Sequence, residues 1–194
     1  MSDFTVIGDV GDTLKKLLDD DPWSGISPKP DITFKSPKEI KDEGENANRV
    51  SLFLYQILEN PHLRNQEPPR LDDSHLGTPP LVLDLLYLVT PYSEEKTQEK
   101  YILGKVMQVF HDNAILSGTV LQGDLAGSTE EIRLLFNPIS INDLSQIWTA
   151  FQDVAYRLSV IYLVTPVKID STRQLGQQRV ISKEMDHALM ESRR

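Results

Sequence analysis

The feature that most constrains this chain is Leu81–Pro91, LVLDLLYLVTP, the longest apolar run in the sequence. A second copy of its core, Tyr-Leu-Val-Thr-Pro, returns near the end as Tyr162–Pro166, within VIYLVTP. Neither run reaches the roughly 20 apolar residues that cross a bilayer. Runs of this length, rich in aliphatic, β-branched and aromatic residues, read as strands covered on both faces. Proline has no N–H to give a ladder, so each strand is expected to stop at its proline, Pro91 and Pro166. Two central strands of one sheet, with everything else packed around them, is the scaffold these runs predict. Only a handful of positions match and the flanks differ, so the echo reads as two similar strands and not as a repeat architecture.

The remaining elements are placed around that pair. Phe4, Ile7, Val10, Leu14, Leu17 and Leu18 recur at helical spacing and predict an amphipathic helix over Asp3–Asp19, ended by Pro22. Gly8 and Gly11 lie on it; they loosen its first turn or admit a neighbouring backbone. Ile32 and Phe34 alternate with Asp31 and Lys35 as a short half-buried strand. Ser36-Pro37-Lys38-Glu39 has the form of a capping box with proline at the first helical position, before a charged loop. Arg49–Leu58 is a strand with Leu52 and Leu54 on one face and Phe53 and Tyr55 on the other. Asn60–Pro80, with five prolines, is a long loop of the kind that is functional or mobile.

Beyond Pro91, Ser93–Asp112 predicts a helix whose apolar stripe is Leu103, Val106, Met107 and Phe110, with Glu99 among the charges on its other faces. Ala114–Gln122 returns as a short strand, Gly123–Ser128 is a turn, and Ile132, Leu134 and Phe136 alternate as another strand. Ser140 caps a helix that buries Ile141, Leu144, Ile147, Trp148 and Phe151. Tyr156–Ile169 is the last strand. The pattern thins after Ser171, so Thr172–Arg194 reads as an extension that orders against a partner. The fold class is α+β: a single domain, residues 1–171, with a mixed or antiparallel central sheet flanked by helices, plus the C-terminal extension 172–194.

Chemistry is hard to find in this sequence. The net charge of −9 and the pI of about 4.9 argue against nucleic acid or an anionic membrane as partner. No cysteine is present, which removes disulfides and thiolate metal sites and fits a reducing compartment. The N-terminus shows no basic segment followed by an apolar block, so no secretory signal is expected. No phosphate-binding glycine loop occurs. His62, His75, His111 and His187 have no metal-ligand spacing, and Asp72-Asp73-Ser74-His75 reads as a polar loop as readily as a cation site. Ser117-Gly118 lacks a nucleophile-elbow frame. Asp84, a charge inside the central strand, is either a perturbed carboxylate or, the preferred reading, a residue met by a basic group or placed where the sheet meets solvent or another subunit. The expectation is no catalytic residue, no metal and no cofactor.

The order of local motifs carries more. Ser51–Tyr55, Asn60, Arg64-Asn65, Pro79-Pro80-Leu81, Leu86–Tyr92, Leu103-Gly104, Met107-Gln108, His111-Asp112, Ile147-Trp148 and Tyr156–Tyr162 follow one another as in a known family. Over about Phe4–Ser171 the chain resembles the cap, or tail-terminator, proteins of contractile injection systems, phage-tail-like particles of the antifeeding-prophage and virulence-cassette type. Longer members of that family carry additional C-terminal sequence. The resemblance implies a non-enzymatic ring, a hexamer, seated on the distal end of inner tube and sheath, ending their polymerisation and coupling them. Its implied partners are its own copies, the tube protein and the sheath protein, and it implies cytoplasmic assembly before the chain becomes part of the particle. Closed rings need head-to-tail contacts, and a terminal extension can supply them by adding a strand to a neighbour's sheet. Partner-contact candidates, taken by region, are Arg64 and Arg70 in the long loop and Leu175, Arg179, Val180, Ile181 and Met185 in the extension. The alternatives are a monomeric adaptor or assembly chaperone for such a particle, and then an enzyme using Asp84 or the Asp72–His75 cluster.

Overall fold

A computed structural model describes residues 3–44, 47–64 and 75–176. The two apolar runs are central and adjacent: β4 (Leu81–Tyr92) pairs antiparallel with β7 (Val160–Ile169). Around them the sheet has six strands in the order β1-β2-β4-β7-β6-β5, with β1 (Asp31–Thr33), β2 (Arg49–Glu59), β5 (Ile115–Ser117) and β6 (Glu131–Phe136). Only β1 and β2 run parallel, so the sheet is mixed and the α+β expectation holds. Two further three-residue strands, β3 (His75–Gly77) and β8 (Gln174–Gly176), pair with each other.

Neither strand stops at its proline. Pro91 lies within β4 opposite Val50, after the β4–β7 ladder has ended at Val89–Val160, so its missing N–H costs that ladder nothing. Pro166 sits inside β7 where the register shifts: Leu83 faces Val167 and Leu85 faces Val164, leaving Thr165 and Pro166 opposite Asp84 alone. Two residues against one is a β-bulge, a position that tolerates proline. The last strand also begins later than expected, at Val160.

Alternation along β4 divides the core in two. Leu83, Leu85, Tyr87 and Val89 point to one face, where α1 (Val6–Asp19) and α3 (Lys96–Asp112) supply Val6, Val10, Leu14, Leu18, Ile102, Leu103, Val106, Val109 and Phe110. Leu86 and Leu88 point to the other face and meet Leu144 and Trp148 of α4 (Ile141–Thr149), with Ile161 of β7. Leu52 and Leu54 join the first cluster and Tyr55 the second, while Phe53 packs edge-on against Phe151 at 5.5 Å, so the two-sided reading of β2 is correct.

Local signals account for the helix ends. α2 (Pro37–Glu43) carries the full capping box: Ser36 Oγ accepts from Glu39 N–H, and the Glu39 carboxylate accepts from Ser36 N–H at 2.8 Å. The Ser36 hydroxyl, which donates to the same carboxylate at 2.7 Å, and then the Ser36 N–H hold the Glu39 carboxyl below its usual value. Ser140 caps α4 in the same way through Asp143 N–H. The apolar stripes needed correction at their ends, where a helix or strand leaves the cover of its neighbours. Phe4 is 81% exposed ahead of α1, Ile141 is exposed at the first position of α4, and Phe136 is exposed at the end of β6. Glu99, expected on an outer face of α3, is buried and ion-paired with Arg157 at 2.5 Å, beneath whose guanidinium the Tyr92 ring lies at 4.9 Å. Gly11 admits a side chain rather than a backbone: a Cβ there would sit 3.3 Å from the Phe34 ring.

Candidate docking interface

Helix α4 covers only part of its face of the sheet. The register places Gln56 and Leu58 of β2, Asp84 of β4, Thr165 of β7, Arg133 and Leu135 of β6 and Ile115 of β5 on that same side, beyond α4. Leu58, Leu135 and Ile115 are 45%, 43% and 60% exposed, and no described element lies over them. A cleft of about 420 Å³ opens there, lined by Asn60, His62, Leu63, Glu131, Arg133, Leu135, Thr165 and Pro166.

Asp84 anchors the floor of this region. Its Oδ1 accepts from Thr165 Oγ1 at 2.5 Å and from Asn60 Nδ2 at 2.8 Å. Asn60 Oδ1 in turn accepts from the backbone N–H groups of His62 and Leu63, an Asx-type turn that fixes how the chain leaves β2. Of the settings expected for Asp84, a basic partner or a place where the sheet meets solvent or another subunit, no basic partner is found among the described residues; two neutral donors satisfy it, at a half-buried position on the uncovered side of the sheet. The bulge explains the pairing, because it brings Thr165 opposite Asp84 while leaving the ladder intact on either side. Sequence reasoning missed Asn60 and Thr165 as partners; an asparagine followed by proline at a strand end, and a threonine before Pro166, are the signals that pointed to them.

The long loop and the extension meet. β8, from the extension, pairs antiparallel with β3, from the end of the loop, and Thr78 N–H donates to the Arg173 carbonyl. Leu175 falls in β8 in register with Leu76. Arg64 is exposed and paired with Glu59 at 3.3 Å, so its charge is already partly satisfied within the chain. Arg70, Arg179, Val180, Ile181 and Met185 lie outside the described residues, as do Asp72, Asp73 and Ser74. Among the described residues no group of three or more His, Asp or Glu side chains is placed to hold a metal ion. No described helix is long and apolar enough to cross a membrane.

On the other face, a second hollow of about 400 Å³ lies between α1 and β2, lined among others by Ile7, Gly8, Gly11, Asp12, Phe34 and Tyr87. Burial, reinforced by the Asp12 carboxylate, pushes the Tyr87 hydroxyl well above its ordinary value and keeps it protonated.

The fold matches the cryo-EM structure of the PVC sheath/tube terminator of an extracellular contractile injection system, in its extended state, with a TM-score of 0.67 at 22% identity. That match covers 99% of this chain and 67% of the terminator. The tube-terminating cap of the anti-feeding prophage matches with a TM-score of 0.62 at 20% identity, over 92% of this chain and 60% of the cap. At these identities the likeness is one of fold, and the chain spans about two thirds or less of each structure. No curated protein matches the sequence. The profile of the Pvc16 N-terminal domain matches residues 9–183, which hold the whole six-stranded sheet, α2 to α4 and most of α1, and the chain belongs to that family.

Proposed function

We propose that this chain is the capping component of a phage-tail-like contractile injection particle. It forms a ring, a hexamer, on the distal end of the inner tube and the last layer of sheath, ends their polymerisation and couples them. It works through surfaces and carries out no reaction. Assembly takes place in the cytoplasm, and the chain then remains part of the particle. The observation that carries this reading is family membership over residues 9–183, joined to a fold shared along 99% of the chain with a sheath/tube terminator. The open half of the sheet supports it, since an adaptor of two polymers needs exposed faces in addition to a closed core.

Deletion of the gene from a producing strain is the test: tubes and sheaths should become overlong and variable in length, and complementation should restore a uniform length. Unchanged particles would dismiss the cap role. Light scattering on the purified chain addresses the adaptor or chaperone alternative, which requires a monomer that leaves the finished particle. Residues 172–194 are proposed to contact neighbouring subunits, tube or sheath, and the 60–80 segment to join them. Truncation after Ser171 should then preserve cooperative thermal unfolding yet reduce retention on particles; loss of the cooperative transition would place the extension in the folding core instead.

A further inference from the structure

Two complementary patches lie at opposite edges of the sheet. At the β1–β2 edge, the hollow beside α1 is floored by Leu52 and Leu54, opened by Gly8 and Gly11 and rimmed by Asp12. Asp12 is exposed and has no ion-pair partner among the described residues. Lys15, three residues further along α1, is likewise without one. At the β6–β5 edge, on the opposite face, Ile115 and Arg133 are register neighbours and Leu135 follows on the same side of β6. Arg133 is exposed without an ion-pair partner among the described residues, and Glu131 lies two residues before it on the same side.

We infer that the chain associates head to tail with a second copy of itself, the Ile115–Arg133–Leu135 strip of one protomer entering the α1–β2 hollow of the next with Arg133 against Asp12. Charge complementarity selects this occupant. Asp12 and Lys15 are about 5–6 Å apart on one helix face. Glu131 and Arg133, two residues apart on a strand, are separated by about 7 Å. At these comparable spacings the opposite signs meet, Arg133 on Asp12 and Glu131 on Lys15, when the two copies are aligned in one direction. The apolar part is matched as well: exposed Leu135 and Ile115 would meet a hollow that no described side chain of the same protomer fills. Because the patches are different and lie at opposite edges, the contact is heterologous: it repeats from copy to copy rather than closing as a two-fold dimer, and forms a ring where the rotation between copies closes. The inference rests on the ring in the proposed function and names the surfaces that close it.

The test uses the full chain at rising concentration, with mass read by sedimentation and fold by circular dichroism. Asp12→Arg and Arg133→Asp should each weaken self-association about tenfold or more, and the double exchange should recover most of it. The chain has no cysteine, so Gly8→Cys combined with Leu135→Cys should give a covalent ladder of multimers under mild oxidation, while either cysteine alone should stop at dimers. Open space beside Gly8 accepts the new side chain. A wild-type chain that stays monomeric throughout, single reversals without effect, a double exchange that stays weak, or a cysteine pair without a ladder would each overturn the inference. Particle-length control that survives charge reversal would leave the cap reading standing while removing this contact, so the two failures are distinguishable.

Discussion

The two faces of the sheet come from the same strands, yet one is closed and the other half open. Under α1 and α3, apolar residues from all six strands of the sheet and the two helices form one continuous cluster. Under α4 the cluster involves five buried residues, and beyond it the strands present Leu58, Thr165, Arg133 and Leu135 around the Asp84 carboxylate. The difference separates two jobs: one face holds the fold together, and the other combines a small clamp with an accessible, polar-floored surface. Substitutions on the two faces should therefore differ in what they damage.

Tyr162→Asp should have the largest effect. Tyr162 is buried on the closed face, edge-on to Phe110 at 4.9 Å, and burial already raises its hydroxyl above the ordinary value. An unpaired carboxylate there should cost about 4 kcal/mol or more, and chemical denaturation should find little folded protein. A stable, soluble variant would remove the distinction between the faces. Trp148→Ala, in the small cluster, should cost on the order of 3 kcal/mol in the same measurement, because the cavity it leaves is flanked by only a few side chains. An equal or larger loss than at Tyr162 would mean that α4 is as central as α1 and α3.

Asp84→Leu tests the open region. It deprives Asn60 and Thr165 of their shared acceptor, and a loss of about 1–2 kcal/mol is expected, smaller than either core change because the site is half-buried. Amide exchange at His62 and Leu63 should quicken, since Asn60 holds those N–H groups. Unchanged exchange would show that the turn stands without Asp84. The smallest effect is acid-dependent. The folded pKa of Glu39 is lowered, so its contribution is fully present above the unfolded value of 4.5 and is lost as pH falls through the lower folded value. Glu39→Gln should therefore flatten a slight part of the stability-versus-pH curve below about 4.5, and an identical curve would show that the capping carboxylate contributes nothing measurable.

Strand and helix identity were legible wherever a local pattern sufficed. The run at Leu81, the alternation at Leu52–Tyr55 and the capping box at Ser36 each named their element, because hydrophobic period and cap chemistry act over a few residues. The ends were less legible: Phe4, Phe136 and Ile141 keep the helical or strand period but lie beyond the cover of any neighbour. Glu99 could not be placed from its own segment, since Arg157, which lets it be buried, is far along the chain.

The candidate site was hardly legible at all. Family likeness predicted a docking protein, yet five of the seven partner-contact candidates fall outside the described residues, Arg64 is already paired, and Leu175 lies in β8. The residues that floor the open surface, Asn60, Asp84 and Thr165, come from three separate segments. By itself the sequence determined that two apolar strands sit at the centre and that helices cap as their local residues demand, since both depend on side-chain period and short-range hydrogen bonds. Only the tertiary structure decided that the strands run through their prolines, that a bulge sets Thr165 against Asp84, and that α4 leaves half a face uncovered. Those outcomes depend on register between distant strands, which no short stretch of sequence encodes.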